Sequence, residues 1–257
     1  MDHLNVDSSH NAAAVSRRAL LLAALLPAAC AVKSGPAGAE GQQPHAVQLP
    51  GQAQPLRMWL YLPPGYHAPA ARTARWPLVI FLHGSGQRGM VLNDVLVHGP
   101  PQRVLQGQAY PFILCSPQLG AGRWDVAVLH ALLPVLAQQL RVDPQRVAAT
   151  GLSLGGHGVW EWAAAHPGDL AAIAPVCGFG DVGAVCRGKS VPVRAYHGEV
   201  DPVVPLARQQ ACVAALQACG GSASLTVYPG VGHEAWTPAY QDPGLVPWLM
   251  AQSRPRT

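Results

Sequence analysis

A chain of 257 residues, 49% hydrophobic and only 12% charged, carries enough apolar surface for one large α/β domain and is not an intrinsically disordered protein. The net charge of +4 comes from scattered Lys and Arg, without the basic stripe that a nucleic-acid partner requires. Outside the N-terminus no apolar run is long enough to span a bilayer.

Residues 1–31 read as an export signal rather than as part of the fold. Ser16-Arg17-Arg18 precedes an apolar stretch over 19–29, broken by Pro27, and small residues surround Cys30. Paired arginines behind a long polar leader suggest the twin-arginine route. Two destinations stay open: a lipoprotein acylated on Cys30, where Pro27 replaces the usual aliphatic residue, or a soluble periplasmic or secreted protein. Membrane contact is expected only through the signal or such a lipid. Residues 32–45, rich in Gly, Pro, Ala and Gln, read as a flexible linker, and the folded domain is expected over 46–257.

Strands are predicted at 57–62, 78–82, 112–116, 147–150, 171–176, 193–196 and 225–228. Helical patterns fall at 126–139, 154–166 and 206–218, with a last helix near 245–251. Continuous apolar strands alternating with helices argue a mostly parallel, doubly wound sheet covered on both faces. Between 176 and 193 there is room for a loop but not for a lid domain.

The strand at 147–150 runs into Gly151-Leu152-Ser153-Leu154-Gly155 and then into a helix. Strand, G-x-S-x-G and helix make a nucleophile elbow, in which a serine hydroxyl is held at a sharp turn. Side chains in place of the two glycines would collide with the neighbouring strand or helix. Such a serine needs a histidine to take its proton and an acid to orient that histidine. In a doubly wound sheet these partners sit beyond the carboxyl ends of later strands. Asp201 follows the strand at 193–196 and His233 the strand at 225–228, so the chain order is Ser153, Asp201, His233. Glu199 is the rival acid in the same turn. His83, His157, His166 and His197 do not follow the last strand and are read as surface or core histidines. For the oxyanion, the candidate donors are the backbone N–H of Leu154 and that of Ser85 in Leu82-His83-Gly84-Ser85-Gly86. Trp124, Trp236 and His157 are candidate substrate-lining residues, while Trp160 and Tyr196 read as readily as core.

After Cys30 five cysteines remain, leaving at least one free thiol. Cys115 reads as a buried hydrophobe. Cys177 and Cys186 flank a glycine-rich loop and could bridge, whereas continuous helix would hold Cys212 and Cys219 about 10 Å apart. No Cys/His spacing suggests a metal site.

Four segments, Val79-Ile-Phe-Leu-His-Gly-Ser-Gly-Gln-Arg-Gly89, Gly151-Leu-Ser-Leu-Gly-Gly-His-Gly-Val-Trp160, His197-Gly-Glu-Val-Asp-Pro-Val-Val-Pro205 and Tyr228-Pro-Gly-Val-Gly-His-Glu-Ala-Trp236, together resemble the α/β-hydrolase superfamily. They look most like its phospholipase/carboxylesterase and "predicted peptidase" branch, which is related to feruloyl and acetyl-xylan esterases and to polyhydroxybutyrate depolymerases. The resemblance implies a catalytic domain without a cofactor, with Ser153, Asp201 and His233 as triad and Ser85 and Leu154 as oxyanion hole. Relatives often carry Met after the nucleophile and Tyr three positions later, where this chain has Leu154 and His157. Backbone donation at 154 survives that change; a side-chain role at 157 need not. Dienelactone hydrolases share the fold with a cysteine nucleophile, absent here at 153. The expected reaction is hydrolysis of a small-molecule or polysaccharide-linked carboxylic ester. The alternatives are a serine peptidase of the same fold and, from another class, a cell-surface binding protein without turnover. Oligomeric state is not legible.

Overall fold

In the computed structural model, which describes residues 41–255, the apolar runs form eight strands. They are β1 (Gly41–Val47), β2 (Leu56–Leu62), β3 (Trp76–Leu82), β4 (Ile113–Pro117), β5 (Val142–Leu152), β6 (Ala172–Val176), β7 (Val193–Gly198) and β8 (Ala223–Tyr228). One sheet holds them in the order β1-β2-β4-β3-β5-β6-β7-β8. β2 pairs antiparallel with β1 and β4, and every later pairing is parallel. The helices are α1 (Gly99–Leu105), α2 (Val126–Gln139), α3 (Leu154–Ala165), α4 (Leu206–Ala218), the single turn α5 (Trp236–Ala239) and α6 (Leu245–Ala251). This is the α/β-hydrolase architecture. The segment between β6 and β7 carries only the short turn Val185–Gly188 and no lid domain.

Why the central strands read as continuous apolar runs is plain along β3. Leu78, Ile80 and Leu82 pack with Leu129, Leu132 and Leu136 of α2 and Val159 and Trp162 of α3. Val79 and Phe81 point the other way, into a second core with Tyr240 and with Leu245 and Leu249 of α6. Alternate residues thus enter different cores, and neither face tolerates polarity.

Three differences from the sequence expectation have local causes. First, the linker expected over 32–45 ends early, because Gly41–Val47 is already paired with β2 along its whole length. Its Gln, Pro and Gly residues suit an edge strand, where Pro44 withholds no ladder bond from a second neighbour. Second, β5 begins at Val142 rather than near 147. Its register against β3 jumps between the Trp76–Val142 and Leu78–Val147 pairs, so Asp143-Pro144-Gln145-Arg146 form a bulge that reads as a turn. Third, the disulfide joins Cys186 to Cys219, not to Cys177, closing 33 residues of chain. Cys219 lies at the cap of α4, just past its last turn, so it is free of the spacing that keeps it from Cys212. Cys115, Cys177 and Cys212 are buried free thiols. Among the described residues no helix is long and apolar enough to cross a membrane. The export signal, Cys30 and residues 32–40 of the linker lie outside the described residues.

Candidate active site

β5 delivers Leu152 to the carboxyl edge of the sheet, and the chain turns at Ser153 directly into α3. Ser153 has φ 51° and ψ −114°, a conformation non-glycine residues adopt only under constraint. The constraint is visible: Ser153 N–H donates to the Val176 carbonyl at 2.9 Å, and its own carbonyl accepts the His157 N–H at 3.0 Å. The flanking glycines make the turn sterically feasible. A Cβ at Gly151 would lie 2.4 Å from the Gly155 carbonyl oxygen, and one at Gly155 only 1.8 Å from that of Leu82. Both contacts are with backbone, so no side-chain rotation relieves them.

His233 follows β8 and precedes α5. Its Nε2 is 2.9 Å from Ser153 Oγ, while its Nδ1 is 2.7 Å from Asp201 Oδ2. With Nδ1–H donating to the carboxylate, Nε2 offers its lone pair to the serine hydroxyl. Asp201, in the turn after β7, is buried, and its Oδ1 accepts the N–H groups of Val203 and Val204 at 2.8 and 2.9 Å. Burial alone would raise this carboxyl's pKa. Hydrogen bonds from His233 and from the Val204 and Val203 amides outweigh it and hold the group below its ordinary range. Glu199, the rival acid, is exposed and binds the Gly230 N–H at 2.9 Å instead.

Leu154 contributes the first N–H of α3, one of the amides a helix start leaves without an intrahelical partner. Ser85 opens the short 3₁₀ turn Ser85–Gln87 after β3. That turn lies against the elbow, because a Cβ on Gly84 would meet Leu152 Cδ1 at 2.7 Å. His83 anchors it from below. Its buried ring sets Nδ1 2.7 Å from the Gly84 carbonyl and Nε2 2.9 Å from the Leu119 N–H, a pair that requires the neutral Nδ1–H tautomer. Burial lowers the His83 pKa in the same sense. Trp124 is only 6% exposed; its indole N–H donates to the His83 carbonyl at 3.2 Å, so it props the loop from beneath.

The phospholipase/carboxylesterase family matches residues 126–242, a span that holds Ser153, Asp201 and His233. NocK of Nocardia uniformis subsp. tsuyamanensis, an esterase by inference, is 32% identical over 172 residues, 62% of this chain and 48% of its own. The crystal structure of a thermostable esterase superimposes with a TM-score of 0.70 at 27% identity, covering 83% of this chain and 63% of that one. A feruloyl esterase module from Clostridium thermocellum, in complex with sinapinate, shares the fold at 14% identity and a TM-score of 0.60, covering 78% and 84%. The chain belongs to the α/β-hydrolase superfamily. It spans about half the length of the curated relative it matches.

Around the Ser153–His233 pair of this α/β-hydrolase, the remaining predicted residues occupy distinct places. Trp236 is half-buried, with its ring 5.4 Å from that of His233 and nearly perpendicular to it. It lines a cleft of about 330 Å³ together with His98, Gln102, Arg103 and Gln241. His157 is tied to the loop after β6: its Nδ1 is 2.8 Å from the Phe179 carbonyl, and its ring meets the Phe179 ring edge-on at 4.3 Å. Phe179 borders a second cleft, of about 540 Å³, with Arg123, Asp181 and Arg208. Trp160 and Tyr196 are core.

Two residues of the site escaped sequence reading. Cys177 (φ 48°) donates its thiol to the His233 carbonyl at 3.0 Å, and burial pushes its pKa up to about 12. His98 lies 5.2 Å ring to ring from Trp236. Only tertiary contact reveals either. Among the described residues, two groups offer three metal-capable side chains. In Cys177, Asp201 and His233 the donors are already engaged with one another or with Ser153. In His130, His166 and Asp169 the two rings stack at 4.3 Å and 10°, so their in-plane lone pairs lie in separate, near-parallel planes, and His130 Nδ1 is already 2.9 Å from Asp169 Oδ2.

Proposed function

We propose that this chain is an exported serine hydrolase that cleaves carboxylic esters through an acyl-enzyme. One observation carries the reading: the His233 ring spans Ser153 Oγ at 2.9 Å and Asp201 Oδ2 at 2.7 Å through opposite nitrogens. Ser153 Oγ attacks the ester carbonyl carbon as its proton passes to His233 Nε2. The tetrahedral oxyanion accepts hydrogen bonds from the Ser85 and Leu154 amides, each worth about 3–4 kcal/mol in such sites. Collapse breaks the ester C–O bond, and the leaving alkoxide takes the proton from His233. Water, deprotonated by the same nitrogen, then attacks the acyl-serine and releases the carboxylic acid. Similarity to the phospholipase/carboxylesterase family and to a thermostable esterase supports esters over amides. The Cys186–Cys219 disulfide supports an oxidising, exported destination.

Hydrolysis of p-nitrophenyl esters from acetate to octanoate tests this, with Ser153→Ala as control. Turnover by wild type and its loss in the variant are expected. Equal rates remove Ser153 from the mechanism, and faster cleavage of an aminoacyl anilide than of every ester replaces the esterase reading with a peptidase.

A further inference from the structure

Among the fully buried polar side chains that the mechanism above leaves unused, His197 stands next to the proposed acid. His197 is the penultimate residue of β7, four residues before Asp201, and its ring is wholly enclosed. Its Nδ1 makes a close hydrogen bond with Gln209 Oε1 of α4. Its Nε2 is 2.9 Å from the Val204 carbonyl oxygen and 3.3 Å from Asp201 Oδ2. All three neighbours are acceptors. A neutral imidazole has one N–H, so whichever nitrogen lacked a proton would aim its lone pair at an oxygen. Turning the Gln209 amide over does not help. Its Nε2 donates to the Pro175 carbonyl at 3.2 Å, and the exchange would set oxygen against oxygen there. Only a ring protonated on both nitrogens satisfies every contact, and a buried cation requires a buried anion beside it.

We propose that His197 is a buried imidazolium and a positioning residue for the triad, sharing Asp201 Oδ2 with His233. The inference rests on the functional reading above for its effect on turnover, but not for the charge itself. Oδ1 of the carboxylate is occupied by the Val203 and Val204 amides, so His197 and His233 compete for the remaining oxygen, at 3.3 and 2.7 Å. The extra cation fixes the carboxylate's rotation and weakens the negative field it exerts on His233. The weaker field at Nδ1 leaves Nε2 available as a base.

The other titratable groups near this cluster do not supply that charge. Glu199 of the same turn is directed to Gly230, and the Cys177 thiol of the β6 end donates to the His233 carbonyl. Tyr196 of β7 bonds Asp242, and Arg208 of α4 lies over the Phe179 ring. Glu234, next to His233, is exposed.

Two measurements test the proposal. Nitrogen-15 NMR of the imidazoles in Ser153→Ala reads protonation without any need for activity; both His197 nitrogens are expected to carry protons at neutral pH, and a single ring proton overturns the charge. The pH profile of kcat/KM on a p-nitrophenyl ester reads the effect. In His197→Gln the acid limb is expected to move up by about half a pH unit or more, making kcat/KM roughly threefold lower at the acid end than the loss at the plateau explains. Gln209→Leu removes the acceptor at Nδ1, permits a neutral ring and should move the limb the same way if His197→Gln fails to fold. A lower plateau with an unmoved limb means packing only and refutes the positioning role. If the ester is not turned over at all, the functional reading fails while the NMR result still decides the charge.

Discussion

Replacing Gly155 by alanine asks whether the elbow and the oxyanion turn are one mechanical unit. The added Cβ would sit 1.8 Å from the Leu82 carbonyl oxygen, 2.5 Å from its carbon and 2.9 Å from the His83 carbonyl oxygen. Ordinary contact begins at 3.4 Å, so the end of β3 and the start of α3 must separate by about 1.5 Å. These are main-chain atoms immediately before Gly84-Ser85, and the displacement therefore reaches the proposed oxyanion donor. Overpacking of this kind costs about 1–3 kcal/mol of stability, and misplacing a catalytic group by about 1 Å costs about a hundredfold in rate. Gly168→Ala is the control, because its Cβ would meet nothing within 4 Å. We expect Gly155→Ala to lower the urea midpoint and to reduce kcat on p-nitrophenyl acetate about a hundredfold, with the control near wild type in both. A folded Gly155→Ala protein with full kcat would refute the close approach of Leu82 to the elbow, and with it the placement of Ser85.

Other expectations follow from the same geometry. Asp201→Asn keeps an acceptor for the Val203 and Val204 amides but disturbs the His233 tautomer, and kcat should fall about 10⁴-fold with KM little changed. Glu199→Gln, which retains an oxygen for the Gly230 N–H, should stay within about twofold of wild type; the reverse ranking would exchange the two acids. Peptide mapping without reductant should recover Cys186 linked to Cys219, and mutating both to serine should cost about 3–4 kcal/mol in urea unfolding while leaving kcat intact. Recovery of a Cys177–Cys186 peptide would contradict that pairing. Acid should destabilise the fold. His83 and His157 have pKa values lowered by burial, so below about pH 6.5 the unfolded chain binds protons that the folded chain refuses, and stability falls with pH. Asp201 adds the same sign further down, its contribution being lost as pH falls through its depressed folded value. Urea midpoints at pH 7.5 and 5.5 check this, with a flatter slope expected for His83→Gln; greater stability at pH 5.5 would contradict it.

What the sequence made legible was whatever has a strong local signature. Of the parallel strands, β3, β4 and β6 are buried on both faces along nearly their whole length, and each starts within two residues of where it was expected. Helices 126–139 and 206–218 match α2 and α4 to the residue, the first aided by Asp125, whose carboxylate caps the Ala127 N–H. The G-x-S-x-G turn and the two strand-end loops mark Ser153, Asp201 and His233 because each follows a strand. What stayed hidden depends on contacts distant in sequence. β1 is mostly polar and pairs with β2 alone, and the bulge at Asp143-Pro144 looks like the turn it is not. α1 opens with Gly99-Pro100-Pro101, which signals a loop although proline suits a helix's first turn. Trp124 was conspicuous by type, yet its burial under His83 could not be read from composition. The partner of Cys186 depends on where α4 ends in space.

The most direct measurement is covalent. Wild-type protein treated with a fluorophosphonate should gain one adduct that maps to Ser153, with labelling abolished in Ser153→Ala and slowed severalfold or more in His233→Ala. Labelling that persists in Ser153→Ala, or that proceeds in His233→Ala at the wild-type rate, would contradict the claim that His233 activates the serine across the 2.9 Å contact.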